Sequence, residues 1–196
     1  MQTISKAMLA VTGMGLICLV LLLSTQTLAQ GTKLPKRIMI QGIAMGQSTQ
    51  LGRQFSINIY INELSTAEDQ KTLLEAFKAK GNEGLANAVS KMSSKGRISI
   101  TGTVGYDVNY IRRFKQPDGT TMLRMVTDRP ITFGEAWSDT RSSDYSLSAV
   151  EIIVALDKKK HTGTLLPACQ LKVDKKGNIE IEAYQNPWKL TNLVRR

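Results

Sequence analysis

His161 is the single histidine in the 196-residue chain, and Cys169 is one of two cysteines. A nucleophilic triad needs a histidine within hydrogen-bond reach of a serine or cysteine, with an acid to orient it. His161 instead closes the run Lys158-Lys159-Lys160-His161, a turn-like basic cluster that solvent is expected to cover. The same scarcity argues against zinc, which takes several His or Cys ligands. No D-x-D-x-D-G spacing marks a carboxylate cation loop. We therefore expect neither a metal site nor a cofactor. Cys169 falls in register with Leu171 and Val173 on the apolar side of an expected strand, where a thiol behaves as a small hydrophobe.

The acids Asp128, Glu135, Asp139 and Asp144 cluster beside Trp137 and Tyr145. Two carboxylates flanked by aromatic rings suit glycoside hydrolysis, in which one is the acid and the other the base or nucleophile. Asp128, Glu135 and Asp139 are the candidates for such catalytic roles. The competing reading is local ion pairing, as in Asp128-Arg129 and Asp139-Thr140-Arg141. Gly102-Thr103-Val104-Gly105 is no phosphate loop, since it lacks the lysine and opens no helix.

Positive charge is the strongest compositional signal, with 26 basic against 16 acidic residues and a formal charge of +10. Binding candidates are the dense sets Lys158, Lys159 and Lys160; Arg112 and Arg113; and Lys175 and Lys176. All sit in or beside expected hairpin turns, so they are expected to gather at one end of a sheet. Such a surface attracts polyanions. Anionic lipid headgroups or acidic envelope polymers are the expected partners, and export argues against nucleic acid as the physiological one.

These residues need elements to position them. Phe55, Ile57, Ile59 and Ile61 alternate with Ser56, Asn58, Tyr60 and Asn62, the period of a half-buried strand. The stretch from Arg37 to Met45 is apolar on both faces and reads as a strand buried on both sides. Ser65 with Glu68 fits a capping box, and Gln70, Leu73, Leu74 and Phe77 share one helical face up to Gly81. A second short helix fits residues 82–92, with Leu85, Ala88, Val89 and Met92 on one face. Gln116-Pro117-Asp118-Gly119 turns one hairpin and Asp174 to Asn178 another. Ile131–Trp137 reads as a short strand. Residues 147–157 read as a central strand by their β-branched density, with a helix as the open alternative. Asn186-Pro187 stops the last hairpin, and Trp188, Leu190 and Leu193 are expected to pin a tail to the body.

The chain opens with Lys6, an apolar run from Met8 to Leu23, and a polar stretch ending at Ala29, the order of parts in a secretory signal peptide. The run is shorter than the roughly 20 residues of a spanning helix, so cleavage is expected over retention as an anchor. Removal of residues 1–29 would take one lysine and no acid, leaving a charge of +9 and Cys169 as the one cysteine. No Asn-x-Ser/Thr sequon occurs. A periplasmic or secreted bacterial protein, not membrane-spanning after cleavage, is the expected setting.

Residues 30–36 then form a flexible lead-in and residues 37–196 a single α+β domain. That domain is expected to be a mostly antiparallel curved sheet or partly closed barrel of seven to nine strands, with a two-helix insertion after the second strand. The function these features support is an exported, non-catalytic binding or envelope-associated domain for a lipid-like or polyanionic ligand. The alternative is a hydrolase of envelope polysaccharide acting through the loop carboxylates.

Overall fold

Isoleucine spacing builds the first wall of the molecule. In the computed structural model, which describes residues 37–131, 145–155 and 161–196, β1 (Ile38–Gly46) and β2 (Gln54–Ile61) form an antiparallel hairpin across a 3-10 turn at Ser48–Gln50. Ile40 lies opposite Ile59, and Ile59 opposite Ile98 of β3 (Gly96–Ile100). Cross-strand partners share a face, so this row of isoleucines gives the sheet one dry side. The other side of β1 departs from the expectation of burial on both faces. Met39, Gln41 and Ile43 are half-buried there and Met45 is exposed.

Hairpins extend the sheet through β4 (Tyr106–Lys115), β5 (Thr121–Thr127), β6 (Leu147–Val154) and β7 (Thr162–Val173). Asp118 sets the β4–β5 turn by accepting from the Thr120 amide at 2.9 Å. Residues 147–154 are strand, which decides between the two readings of that segment. Two further strands follow, β8 (Ile179–Gln185) and β9 (Trp188–Arg195). The sheet order is β6-β5-β4-β3-β2-β1-β9-β7-β8, with β6 also paired to β7. Among the described residues, the result is a closed antiparallel barrel of eight strands, with β8 as an extra strand and one α-helix. The segment expected to be a tail is therefore a barrel stave, and its Trp188 and Leu190 are wholly buried.

β9 carries the irregularity that matters for the site. Asn192 adopts φ 52°, and the β1–β9 register shifts between Gln41 and Ile43. Such a bulge changes which face later residues take. Trp188 and Leu190 are buried before it and Leu193 after it, while Lys189 and Val194 are exposed. Leu193 and Arg195 thus face the same side as Trp188 and Leu190.

Helix α1 (Ala67–Lys91) lies between β2 and β3 in the chain. The expected pair of helices is one element with a break, where Lys80 and Gly81 leave helical geometry and Gly81 takes φ 58°. Its start also differs by one residue from the expected cap. Thr66, not Ser65, is the N-cap: its Oγ1 accepts from the Asp69 amide at 3.1 Å, and the Asp69 carboxylate accepts from the Thr66 amide at 2.7 Å. Ser65 Oγ is engaged elsewhere, accepting from the Ile111 amide at 2.9 Å.

Two cores result, both within the compact unit Leu34–Arg196. The barrel interior holds the inward residues of its staves, from Ile57 and Ile59 to Met125 and Trp188. The second core lies between α1 and the outer wall, where Leu73, Leu85 and Val89 pack with Tyr110, Val126, Cys169 and Ile179. From Ala168 to Val173, β7 pairs with β8, and Leu171 and Ile179 of this arm pack in the second core. Arg124 of β5 fastens it there, donating to the Ile179 carbonyl at 2.5 Å and to Glu151 at 2.7 Å.

Candidate functional site at the barrel mouth

Eight strands make an interior just wide enough to be filled by side chains or to hold one small ligand. Both happen in this barrel. One half of the interior is filled by residues such as Trp188, which packs on Phe55 with ring centroids 5.1 Å apart. Toward the other end the filling stops, leaving a cavity of about 240 Å³. Its walls are Ile38 and Ile40 of β1, Leu123 of β5, Ile152 and Val154 of β6, and Leu193 of β9.

The rim has the opposite chemistry. Thr121, Arg113, His161 and Arg195 complete the lining. Alternation explains Arg113: it pairs with Leu123 across β4–β5, and Leu123 with Ile152 across β5–β6, so all three face inward. The β9 bulge explains Arg195, which pairs with Ile40. His161 stands just before β7, and its Nδ1 accepts from the Ala155 amide at 3.2 Å. In a neutral ring, that bond assigns the proton to Nε2 and makes it a donor. Ile38, Ile40, Leu123, Ile152 and Leu193 are buried, whereas Arg113 and Arg195 are exposed, so the lining runs from dry aliphatic wall to hydrated cationic rim. None of the lining residues among those described is an acid.

Comparison with known proteins adds no further constraint: the chain matches no protein-family model, no curated protein and no solved structure. The site must be argued from its own geometry.

The basic residues singled out in the sequence divide between two places. Arg112 and Arg113 are adjacent on β4 and take opposite faces, as strand neighbours must. Arg113 lines the mouth, while Arg112 donates to the Gln70 side chain of α1 on the outer side. Gln70 in turn donates to the Gly177 carbonyl at 2.5 Å. Arg112 therefore shares the outer side with the turn that carries the exposed Lys175 and Lys176. Lys158, Lys159 and Lys160 lie outside the described residues.

Of the acids, Asp128 forms the local pair with Arg129, at 3.0 Å. Glu135, Asp139 and Asp144 lie outside the described residues, as does most of the strand expected at Ile131–Trp137. Cys169 is buried and unpaired in the second core, and burial, followed by the charge of Glu151, pushes its thiol up to about 12. It is a packing residue, as its register with Leu171 suggested. Among the described residues, no group of His, Cys, Asp and Glu is arranged to hold a metal ion, and no helix is long and apolar enough to cross a membrane.

The sequence pattern did not mark Arg195 as a binding candidate, and it placed His161 on a solvated turn. The parity of Arg113 with Ile111 on an expected strand was a usable signal. Arg195 gave none, because the bulge at Asn192 resets the alternation that would have located it.

Proposed function

We propose that this chain is an exported, non-catalytic binding domain whose barrel mouth holds a single apolar chain. The observation that carries the proposal is the 240 Å³ cavity walled by six aliphatic side chains inside a closed barrel. Drug-sized ligands occupy pockets of about 300–1,000 Å³, so the volume suits one slender chain better than a ring system or a two-tailed lipid. Burial of each methylene in such a wall is worth about 0.8 kcal/mol, enough for a short chain to bind without any polar partner. The lining offers arginine, threonine and a lone histidine, groups that orient a ligand. Export is supported by the signal-like order of residues 1–29.

The test is native mass spectrometry on protein purified from its own envelope fraction, paired with calorimetric titration by octanol. A retained single-chain molecule and saturable octanol binding are expected. Ile152→Trp fills the cavity from its wall and should abolish octanol binding while the far half of the barrel keeps its packing. Octanol binding that survives this change places the ligand elsewhere and overturns the proposal.

A further inference from the structure

The rim makes a second statement about the ligand, one that rests on the apolar-chain reading. We infer that the ligand is a single-chain aliphatic monocarboxylate, its tail in the barrel and its head held at the mouth by Arg113 and Arg195, with His161 as a third donor.

Three observations carry this. First, Arg113 of β4 and Arg195 of β9 line the same cavity as the aliphatic wall, and they come from different staves. A head anchored at the rim therefore directs its tail inward. Second, arginine presents a planar fork of donors that matches the two oxygens of a carboxylate. His161 supplies another donor, because its Nδ1 already accepts from the Ala155 amide. Third, the described lining carries Arg113 and Arg195 and no acid, a set that pairs with an anionic head rather than with an amine.

The geometry of β9 makes Arg195 a built feature. The left-handed turn at Asn192 costs the chain about 1 kcal/mol in a non-glycine residue. That turn is what brings Leu193 and Arg195 onto the inner face together. One backbone irregularity therefore supplies both a wall residue and a head-binding residue.

Size bounds the tail: a cavity of about 240 Å³ lies below the range of drug-sized pockets, so a single octyl chain is a suitable probe.

The experiment is calorimetric titration of the purified protein with octanoate, octanol and octylamine, at low and high salt. Octanoate is expected to bind at least tenfold tighter than octanol and octylamine weakest, and salt should shrink both the octanoate advantage and the octylamine penalty while leaving octanol unchanged. Arg195→Gln should remove about tenfold of octanoate affinity and leave octanol unchanged. Arg195→Glu should reverse the order and favour octylamine, an outcome that a purely structural role for Arg195 would not produce. Arg113→Lys should keep part of the octanoate advantage, since it retains the charge and loses the fork. Equal binding of octanoate and octanol would overturn the head assignment and leave the apolar cavity standing. Failure of all three ligands would overturn the cavity reading itself. Octyl phosphate binding tighter than octanoate would reassign the head to phosphate and overturn the carboxylate.

Discussion

Gly42 and Leu193 meet across the β1–β9 seam so closely that a β-carbon on residue 42 would stand 2.6 Å from Leu193 Cδ2 and 3.0 Å from the Thr191 carbonyl oxygen. The missing side chain on β1 is the space into which the bulged part of β9 turns its leucine. Gly42→Ala should therefore push Leu193 toward the cavity it lines. Overpacking of this kind costs about 1–3 kcal/mol. Octanol affinity should fall by more than the loss in folding stability accounts for, which paired titration and denaturant unfolding would read. Full octanol affinity in this variant would show that Leu193 is not part of the wall.

Lys95 is buried immediately before β3 and its ammonium stands 3.0 Å from Glu63 and 3.3 Å from Asp69. Burial works against the charge on Asp69, but the Thr66 amide and Lys95 outweigh it and hold the carboxyl below its usual value. Burial likewise opposes the charge on Lys95, and its bonds to Glu63 and Asp69 outweigh that and raise its pKa. The signs then follow. The Asp69 contribution is present above about pH 4 and is lost as pH falls through its lowered folded value. The Lys95 contribution is present below about pH 10 and is lost as pH rises through its raised one. Lys95→Met should flatten both flanks of the stability profile and cost about 1–3 kcal/mol at neutral pH. Chemical denaturation across pH measures it, and unchanged flanks would remove the pair from the account.

Adjacent hydroxyls at the start of α1 should fail differently. Thr66→Ala removes the N-cap acceptor and should cost about 0.5–2 kcal/mol, with loss of helical circular dichroism on mild heating. Ser65→Ala strands the Ile111 amide, which Ser65 Oγ satisfies at 2.9 Å, and should cost about 1–3 kcal/mol with the helix intact in the folded state. A Ser65→Ala protein as stable as the parent would show that this amide finds another acceptor.

Cys169 should label slowly in the folded protein and rapidly once it is unfolded, because its thiol is buried and its pKa stands near 12. Below that value almost none of it is the reactive thiolate. Stopped labelling with a chromogenic disulfide at pH 8 reads the rate. Labelling at the rate of a free thiol would place Cys169 at the surface and detach it from the second core.

What could be read from the sequence was whatever has a short period. The alternation of Phe55 to Ile61, the Gln116–Gly119 reversal and the helical face of Leu73 and Phe77 are local, and each lies where expected. The cap shows the limit. Ser65 with Glu68 and Thr66 with Asp69 both satisfy the same spacing rule, and only the distant Ile111 amide, by engaging Ser65, decides between them. The mouth lay further out of reach. Its residues come from six segments of the chain, and their convergence depends on barrel closure and one bulge, neither of which has a local signature.

Closure itself constrains how the chain assembles. β9 pairs with β1 on one side and β7 on the other, and the seam joins Gln41 to Arg196 across 155 positions of sequence. Direct closure of such a loop costs about 4–5 kcal/mol in chain entropy, a cost that is lowered when the neighbouring hairpins are already paired. Until it docks, β1 and β7 are two raw edges of an open sheet, each able to pair with any extended strand presented to it. The strand that completes the barrel therefore also decides whether those two edges stay covered.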